Sequence, residues 1–455
     1  VVKSRLLSGL AGIGLNLRQQ DAQEPGPLTM ISDAPPPGDA GAAFYARAAE
    51  ASQAGRETEA VQLLNDAVTA GSMDAAFTLG QFLLHGIGTA QDLTGAYQAF
   101  SLAASARITD AVRAQAVLQA RGIGTEADWS GACERLLVLA RAADAAALRQ
   151  VGVLVLMSAG DDGIAYQLLL HAAARGDLMA ALALARAAIA TEVPGLTPGA
   201  ARWLVDACAR AQHPMAADVA KDLVATPEEP LAPTAGPDWE QVAALLAVLP
   251  HRGHTAAENL SPSPSIQRLP GFFSLVECDY VAGLAAPLLG PARIFDPATG
   301  QAKQDPYRRS LVANLAPMKQ DLVLVALEQR ISRACEIPLD HGEMLAVLAY
   351  GPGHEYKPHR DYIIDDGGAG TADLARGGQR IATFLTALND DFEGGETAFP
   401  QAGLTVKLHK GDGLLFRNVD SEGQIDPATL HAGLPVKSGS KWLASKWMRQ
   451  HRYTW

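Results

Sequence analysis

From about Ala42 to Ala225, apolar positions recur every three to four residues, alanine and leucine dominate and prolines are few. That spacing predicts a run of amphipathic helices. Inside the run, Gly86-Ile87-Gly88-Thr89 returns as Gly122-Ile123-Gly124-Thr125, 36 residues later, and Asp92 and Ala96 return as Asp128 and Ala132. A degraded third copy falls at Ala159-Gly160-Asp161-Asp162-Gly163, and Gly71 and Gly176 stand about three periods apart. A period of this length with glycine turns predicts an all-α solenoid of helix pairs, because one pair cannot bury its apolar face alone and must stack on its neighbours. Small alanines allow close helix approach, and the glycines supply the positive φ of tight turns.

Beyond the run the pattern changes. A proline-rich break at Thr226–Pro233 is followed by a predicted helix over Trp239–Leu249, and Ser261–Ser265 reads as linker. From Ile266 onward aromatic and β-branched residues increase and turn signals multiply. Arg380–Asn389 reads as a buried strand, Asp390–Gly395 as a turn, and Glu396–Pro400, Leu404–Leu408, Gly413–Arg417 and Trp442–Met448 as further short strands. Together they predict a barrel-like antiparallel sheet. Ahead of the helices, Gln19–Gly41 is rich in Pro, Asp and Gly and reads as a flexible lead-in, and Lys3 and Arg5 before the glycine-broken run Leu6–Leu15 read as a tail rather than a leader. Four segments are therefore expected: a flexible 1–41, helical repeats over 42–225, a linker with one helix over 226–265, and a β-rich domain over 266–455.

Charge and cysteine content narrow the function classes. Lys and Arg total 37 against 49 Asp and Glu, a net charge of -12, whereas binding to nucleic acid or to an anionic membrane needs clustered positive charge. Neither partner is expected. No apolar stretch reaches the roughly 18 residues of a membrane span. The 4 cysteines are scattered and form no CxxC pair, which argues against a thiolate zinc site or a disulfide framework and favours a reducing, cytoplasmic setting.

The chemistry lies between Tyr350 and Arg449. His359-Arg360-Asp361 is an HxD pair, and on a strand residues i and i+2 point to one side. A third ligand must come from elsewhere, and His431 is the best candidate. Two imidazoles and one carboxylate on one face suit a non-heme Fe(II) oxygenase, with three positions left for co-substrate and dioxygen. Lys441, ten residues after His431, is placed to meet the far carboxylate of a 2-oxo acid as a point charge.

Several ordered motifs resemble the prolyl 4-hydroxylase branch of the Fe(II)/2-oxoglutarate dioxygenases: Tyr350-Gly351-Pro352-Gly353, Tyr356-Lys357-Pro358-His359-Arg360-Asp361, Phe392-Glu393-Gly394-Gly395-Glu396-Thr397, Lys410-Gly411-Asp412, Leu430-His431-Ala432-Gly433 and Gly439-Ser440-Lys441-Trp442. The resemblance covers about Gln267–Arg452. It implies a double-stranded β-helix (a jelly roll) with flanking helices, and iron held by His359, Asp361 and His431. It also implies 2-oxoglutarate held by Lys441 with Tyr350 and Thr383 as hydroxyl partners, dioxygen as oxidant, and ascorbate as a candidate reductant. Tyr356 and Trp447 would line the substrate channel, with Arg380 as a further substrate contact. The segment Ile363–Gly378, glycine-rich and acidic, is expected to be a loop beside the iron. The helical half resembles Sel1-like repeats, cousins of the tetratricopeptide repeat, through Leu79-Gly80, Gly86-Ile87-Gly88, Asp92, Ala96 and Ala103-Ala104, and that resemblance implies a surface for protein or peptide recognition.

The expected activity is hydroxylation of prolyl residues in a protein or peptide, with succinate and CO2 as co-products. Two alternatives stand beside it: the same chemistry on a free amino acid or other small molecule, and an inactive oxygenase fold serving as an interaction scaffold.

Overall fold

Helices of 13 residues follow one another at Glu57–Thr69, Met73–His85, Leu93–Ser105, Thr109–Arg121, Trp129–Arg141 and Ala145–Met157. The computed structural model describes residues 40–158, 162–231, 236–248, 256–295, 302–304 and 308–453. The lead-in expected for 1–41 and the degraded glycine turn at 159–163 lie largely outside these residues.

The repeat is written in the backbone more regularly than in the side chains. Left-handed residues stand at Gly71, Arg107, Ala143, Gly176 and Gln212, at intervals of 36, 36, 33 and 36 residues. Each ends the first helix of a pair. Ser72, Asp144 and Asp177 then cap the second helix by accepting the N–H of Ala75, Ala147 and Ala180, which satisfies donors the helix itself leaves free. The Gly-Ile-Gly motif has a separate role for each position. Gly86 and Gly122 are left-handed helix caps. Ile87 is fully buried. Gly88 and Gly124 lie so close to other backbone that an added Cβ would meet Glu57 O at 2.3 Å and Leu93 O at 1.9 Å.

The chain divides into two compact units between Ala127 and Asp128, within the helical repeats. In the first unit Ala48, Leu64, Leu79, Phe82 and Ile87 share one core. In the second, the later repeat helices are built into the β-rich part. Helix Leu178–Ala190 packs on Leu275–Ala285, and Ala145–Met157 on Leu322–Cys335. Buried charge seals the first contact. Arg186 Nε donates to Asp279 at 2.8 Å and its Nη2 donates to Asp218, while Lys410 Nζ donates to the same two carboxylates at 2.6 and 3.1 Å. Arg149 pairs with Asp177 at 2.7 Å, and Tyr280 donates its hydroxyl proton to Asp321. Groups like these cannot be left in an apolar interior without partners, and that ties the helices to the sheet.

The larger sheet has eight strands in the order Glu258–Pro262, Ser265–Leu269, Gly413–Arg417, Arg380–Ala387, Lys441–Arg449, Leu345–Tyr350, Leu311–Leu315 and Gly290–Pro291. A four-stranded sheet runs Leu404–Val406, Thr397–Phe399, His431–Gly433, Tyr356–His359. Ile266, Leu385, Leu443, Phe399, Val406 and Phe416 from the two sheets share one core, the arrangement of a double-stranded β-helix. One expectation fails. Residues 261–265 are not linker but the tip of an antiparallel hairpin, in which Asn259 pairs with Gln267 and Pro262 with Ser265. The prolines concealed it, and they are tolerated because Glu258–Pro262 is an edge strand. The predicted helix is present at Trp239–Leu246. No helix among the described residues is long and apolar enough to cross a membrane, and the cysteines are buried free thiols.

Candidate active site

His359 ends its strand, and the register of the four-stranded sheet sets it opposite His431. Cross-strand neighbours face one side of a sheet, so the two imidazoles come together, with ring centroids 4.2 Å apart. Asp361 lies two residues past His359, beyond the strand end rather than on it. Its carboxylate oxygens approach His359 Nε2 to 3.7 Å and His431 Nε2 to 3.6 Å. One ligand atom from each residue lies within 4.8 Å of the others.

The remaining ring nitrogens fix the tautomers. His359 Nδ1 is 2.8 Å from Lys357 O, and His431 Nδ1 is 2.9 Å from Thr429 O. A carbonyl oxygen only accepts, so each Nδ1 carries the proton and each Nε2 keeps its lone pair for a metal. Burial pushes the His359 imidazolium down to about 4, with His431 adding to the effect and Asp361 opposing it. Burial alone would raise the Asp361 carboxyl, but His431, His359 and Arg380 together hold it below the usual range. At neutral pH the His359 ring is therefore an uncharged ligand and Asp361 a carboxylate. Two imidazole nitrogens and one carboxylate oxygen are the donor set that suits Fe(II) with open positions, so the residues present fit the metal the sequence implies.

One cavity runs from this cluster to Lys441. Strand alternation explains its wall: Lys441, Leu443, Ser445 and Trp447 line it, every second residue of one strand. Lys441 pairs in register with Tyr350, which also lines the cavity, and its Nζ donates to Gly395 O at 2.6 Å. Burial lowers the Lys441 ammonium to about 8, with Glu396 opposing. Tyr350 is buried and its phenol is pushed up, mainly by burial. Tyr356 stacks on His359 with 3.4 Å between centroids, and Arg308, which also lines the cavity, lies over the Tyr356 ring at 5.4 Å from its centroid. The Trp447 ring also faces this space.

Two expected residues lie elsewhere. Arg380 is held by Glu343 through two hydrogen bonds of 2.5 and 3.0 Å, and its guanidinium lies 4.1 Å from the Trp447 ring centroid. It supports that ring from behind and does not line the cavity. Thr383 is opposite Trp447 in the sheet register, six residues from Lys441 along the strand, or roughly 20 Å at 3.3 Å per residue. Its hydroxyl donates to Asp361 Oδ2 at 2.7 Å. The hydroxyl-bearing residues that line the cavity with Lys441 are Tyr350, Tyr356, Thr397 and Ser445. Sequence reasoning missed Thr397, Ser445 and Arg308. Ser445 had a signal: it is four residues from Lys441 on one strand and so shares its face.

The segment Ile363–Gly378 contains a short helix, Ala369–Leu374. Its acids are engaged locally. Asp366 accepts the N–H of Gly368 and Gly370, Asp365 accepts the Thr371 hydroxyl, and Asp373 accepts from the buried Arg449 at 2.8 Å.

Comparison with known proteins agrees with this geometry. A family model described as the 2OG-Fe(II) oxygenase superfamily matches residues 345–449, the span that holds the three ligands and Lys441. Prolyl 4-hydroxylase 1 of Arabidopsis thaliana is 40% identical over 212 residues, which are 44% of this chain and 73% of that protein. Prolyl 4-hydroxylase 5 of the same plant is 35% identical over 220 residues, 44% of this chain and 74% of the relative. Among solved structures, a viral collagen prolyl hydroxylase from Paramecium Bursaria Chlorella virus-1, in its 2OG complex, is 27% identical, covering 40% of this chain and 95% of its own with a TM-score of 0.32. A Sel1 repeat protein from Oxalobacter formigenes is 24% identical over 38% of this chain and 73% of its own, with a TM-score of 0.34. With the oxygenase match falling on the strands that carry the ligands, and close identity across nearly three quarters of a plant relative, the chain belongs to the prolyl 4-hydroxylase family of 2-oxoglutarate- and Fe(II)-dependent oxygenases.

Proposed function

We propose that the protein hydroxylates prolyl residues of a protein or peptide, consuming 2-oxoglutarate and dioxygen and releasing succinate and CO2. The observation that carries this reading is a single cavity with His359, Asp361 and His431 at one place and Lys441 at another. His359, Asp361 and His431 would hold Fe(II), and the bound ion supplies the oxidative chemistry that couples decarboxylation of the oxo acid to C–H hydroxylation.

The chain's own residues then have distinct tasks. Lys441 meets the distal carboxylate of 2-oxoglutarate with its ammonium, and the hydroxyls of Tyr350, Thr397 and Ser445 offer further donors. Leu348, Leu385 and Leu443 make the wall apolar, which excludes water and strengthens the charge contact. Tyr356 and Trp447 give flat surfaces for a prolyl ring, and Arg308 offers a cation to the carbonyls of a peptide.

The helical repeats would present that peptide. The plant relatives align to only 44% of this chain, so the repeats are an addition to the part that matches them, and a protein substrate gives such an addition a use.

The test is to incubate the iron-loaded protein with 2-oxoglutarate and a peptide library, and to read by mass spectrometry which peptides gain one oxygen atom. Gain on proline, with equimolar succinate, is expected; Asp361→Ala should abolish both. Gain on another residue would overturn the prolyl assignment, and succinate formation that survives in Asp361→Ala would overturn the ligand assignment. A KM that falls as the peptide is lengthened beyond the prolyl site is the expected mark of the repeats.

A further inference from the structure

Asp361 receives its hydrogen bond from a side chain that is itself held. Thr383 is fully buried, and its hydroxyl donates to Asp361 Oδ2 at 2.7 Å. Asn418 is also fully buried, and its Nδ2 donates to Thr383 Oγ1 at 3.0 Å. A threonine hydroxyl has one proton and two lone pairs. With a lone pair filled by the Asn418 amide, the proton cannot turn toward Asn418 and is directed to the carboxylate.

The backbone holds this chain of contacts in place. Thr383 pairs with Phe416 across the large sheet. Just past that strand, Asn418 N donates to Ile381 O at 2.9 Å, and Asn418 O accepts from Asp426 N at 3.0 Å. Asn418 Oδ1, by contrast, is buried with no hydrogen-bond partner among the described residues. Leaving such an acceptor unpaired costs about 1–3 kcal/mol. An apolar residue would avoid that cost, so what favours asparagine at this position is its donor, which is aimed at Thr383.

We propose that Thr383 and Asn418 are positioning residues for the metal. They hold Asp361 Oδ2 in a hydrogen bond and stop the carboxylate from turning, so that Asp361 would be presented to the ion in one orientation. The χ2 torsion of an aspartate is otherwise soft and roughly two-fold, and partners behind a ligating carboxylate set its orientation and basicity. The inference rests on the metal-site reading, and it gives Thr383 a task different from the 2-oxoglutarate contact implied by family resemblance.

The test measures metal affinity in the absence of turnover, by anaerobic titration of full-length apoprotein with Fe(II), and with redox-inert Mn(II), against a competing chelator. Thr383→Val, which keeps shape and loses the hydroxyl, is expected to weaken binding by about 10–100-fold, and Thr383→Ser to restore it. Asn418→Ala is expected to weaken it less, and the double variant no more than Thr383→Val alone, because both act through one hydrogen bond. The thermal midpoint of each apoprotein reports folding separately. Wild-type metal affinity in a folded Thr383→Val protein overturns the proposal. Unchanged metal affinity with weakened 2-oxoglutarate binding overturns it in favour of a direct co-substrate contact. If wild type and Asp361→Ala bind metal equally, the site reading itself fails, and that result differs from either of these.

Discussion

Lys441 carries an ammonium into surroundings that oppose its charge. Burial brings it down to about 8 from an ordinary value of 10.5, with only Glu396 acting against the shift. The charged form is the one that binds a carboxylate, so in the free enzyme the grip on 2-oxoglutarate is intact below about pH 8 and lost as pH rises through it. The KM for 2-oxoglutarate should therefore be flat near neutrality and climb above pH 8, approaching roughly tenfold per pH unit for one linked proton. Lys441→Arg, whose guanidinium stays charged, should flatten the climb, and Lys441→Met should raise KM at every pH. A wild-type KM constant from pH 7 to 10 would show that another group holds the distal carboxylate. The lysine and the three ligands were readable in the sequence because their chemistry and spacing are specific, although Asp361 joins His359 from just past the strand end and not, as i and i+2 alternation would have it, from the strand itself. The hydroxyls were not. Which of Thr383, Thr397 and Ser445 reaches Lys441 is decided by sheet register, and the register sets Thr383 against Trp447 instead.

At the scale of elements, the repeats show a backbone requirement outliving the residue that best meets it. Gly71 and Gly176 satisfy the left-handed turn at little cost, but Arg107, Ala143 and Gln212 hold the same conformation at φ 61, 63 and 58. An L-residue in that region costs roughly 1–2 kcal/mol, and the extra chain entropy of glycine offsets about 0.5–1 kcal/mol of any relief. Ala143→Gly should therefore stabilise the protein by about 0.5–1 kcal/mol, visible as a higher thermal midpoint with unchanged turnover. A lower midpoint would mean that the alanine methyl makes contacts worth more than the strain. This also explains why, of this series of turns, only Gly71 and Gly176 were plain in the sequence. Composition shows a glycine turn, but nothing in Arg107 or Gln212 announces one; only the period does. The hairpin over Glu258–Leu269 was hidden for the opposite reason. Its serines and prolines read as breakers, and its place at a sheet edge, where a proline's missing N–H is harmless, is a tertiary fact.

For the molecule as a whole, the question is whether the later helices and the oxygenase sheet unfold together. Asp279, on Leu275–Ala285, is buried between Arg186 from a repeat helix and Lys410 from the turn before Gly413–Arg417, and Asp218 is the second acid they share. Removing the Asp279 carboxylate leaves two cations and one partly exposed carboxylate. Stripping one partner from a buried ion pair costs about 3–5 kcal/mol, and the Asp218 that remains puts the expected loss for Asp279→Ala near the lower end. If residues from Asp128 onward fold as one unit, the helical signal in the far ultraviolet and the aromatic signal of the sheet core should shift to lower denaturant together. Two separated transitions, with only one displaced, would show that the repeats and the sheet fold independently and that this charge cluster does not couple them. The same cluster governs how a truncation is read. A fragment starting at Ile266 keeps Asp279 and Lys410 but loses Arg186 and Asp218, so failure of that fragment to turn over would report a broken fold before it reported a lost peptide-binding surface. Repeat dependence is therefore better read from peptide KM in the full chain, with the 2-oxoglutarate KM as its internal control.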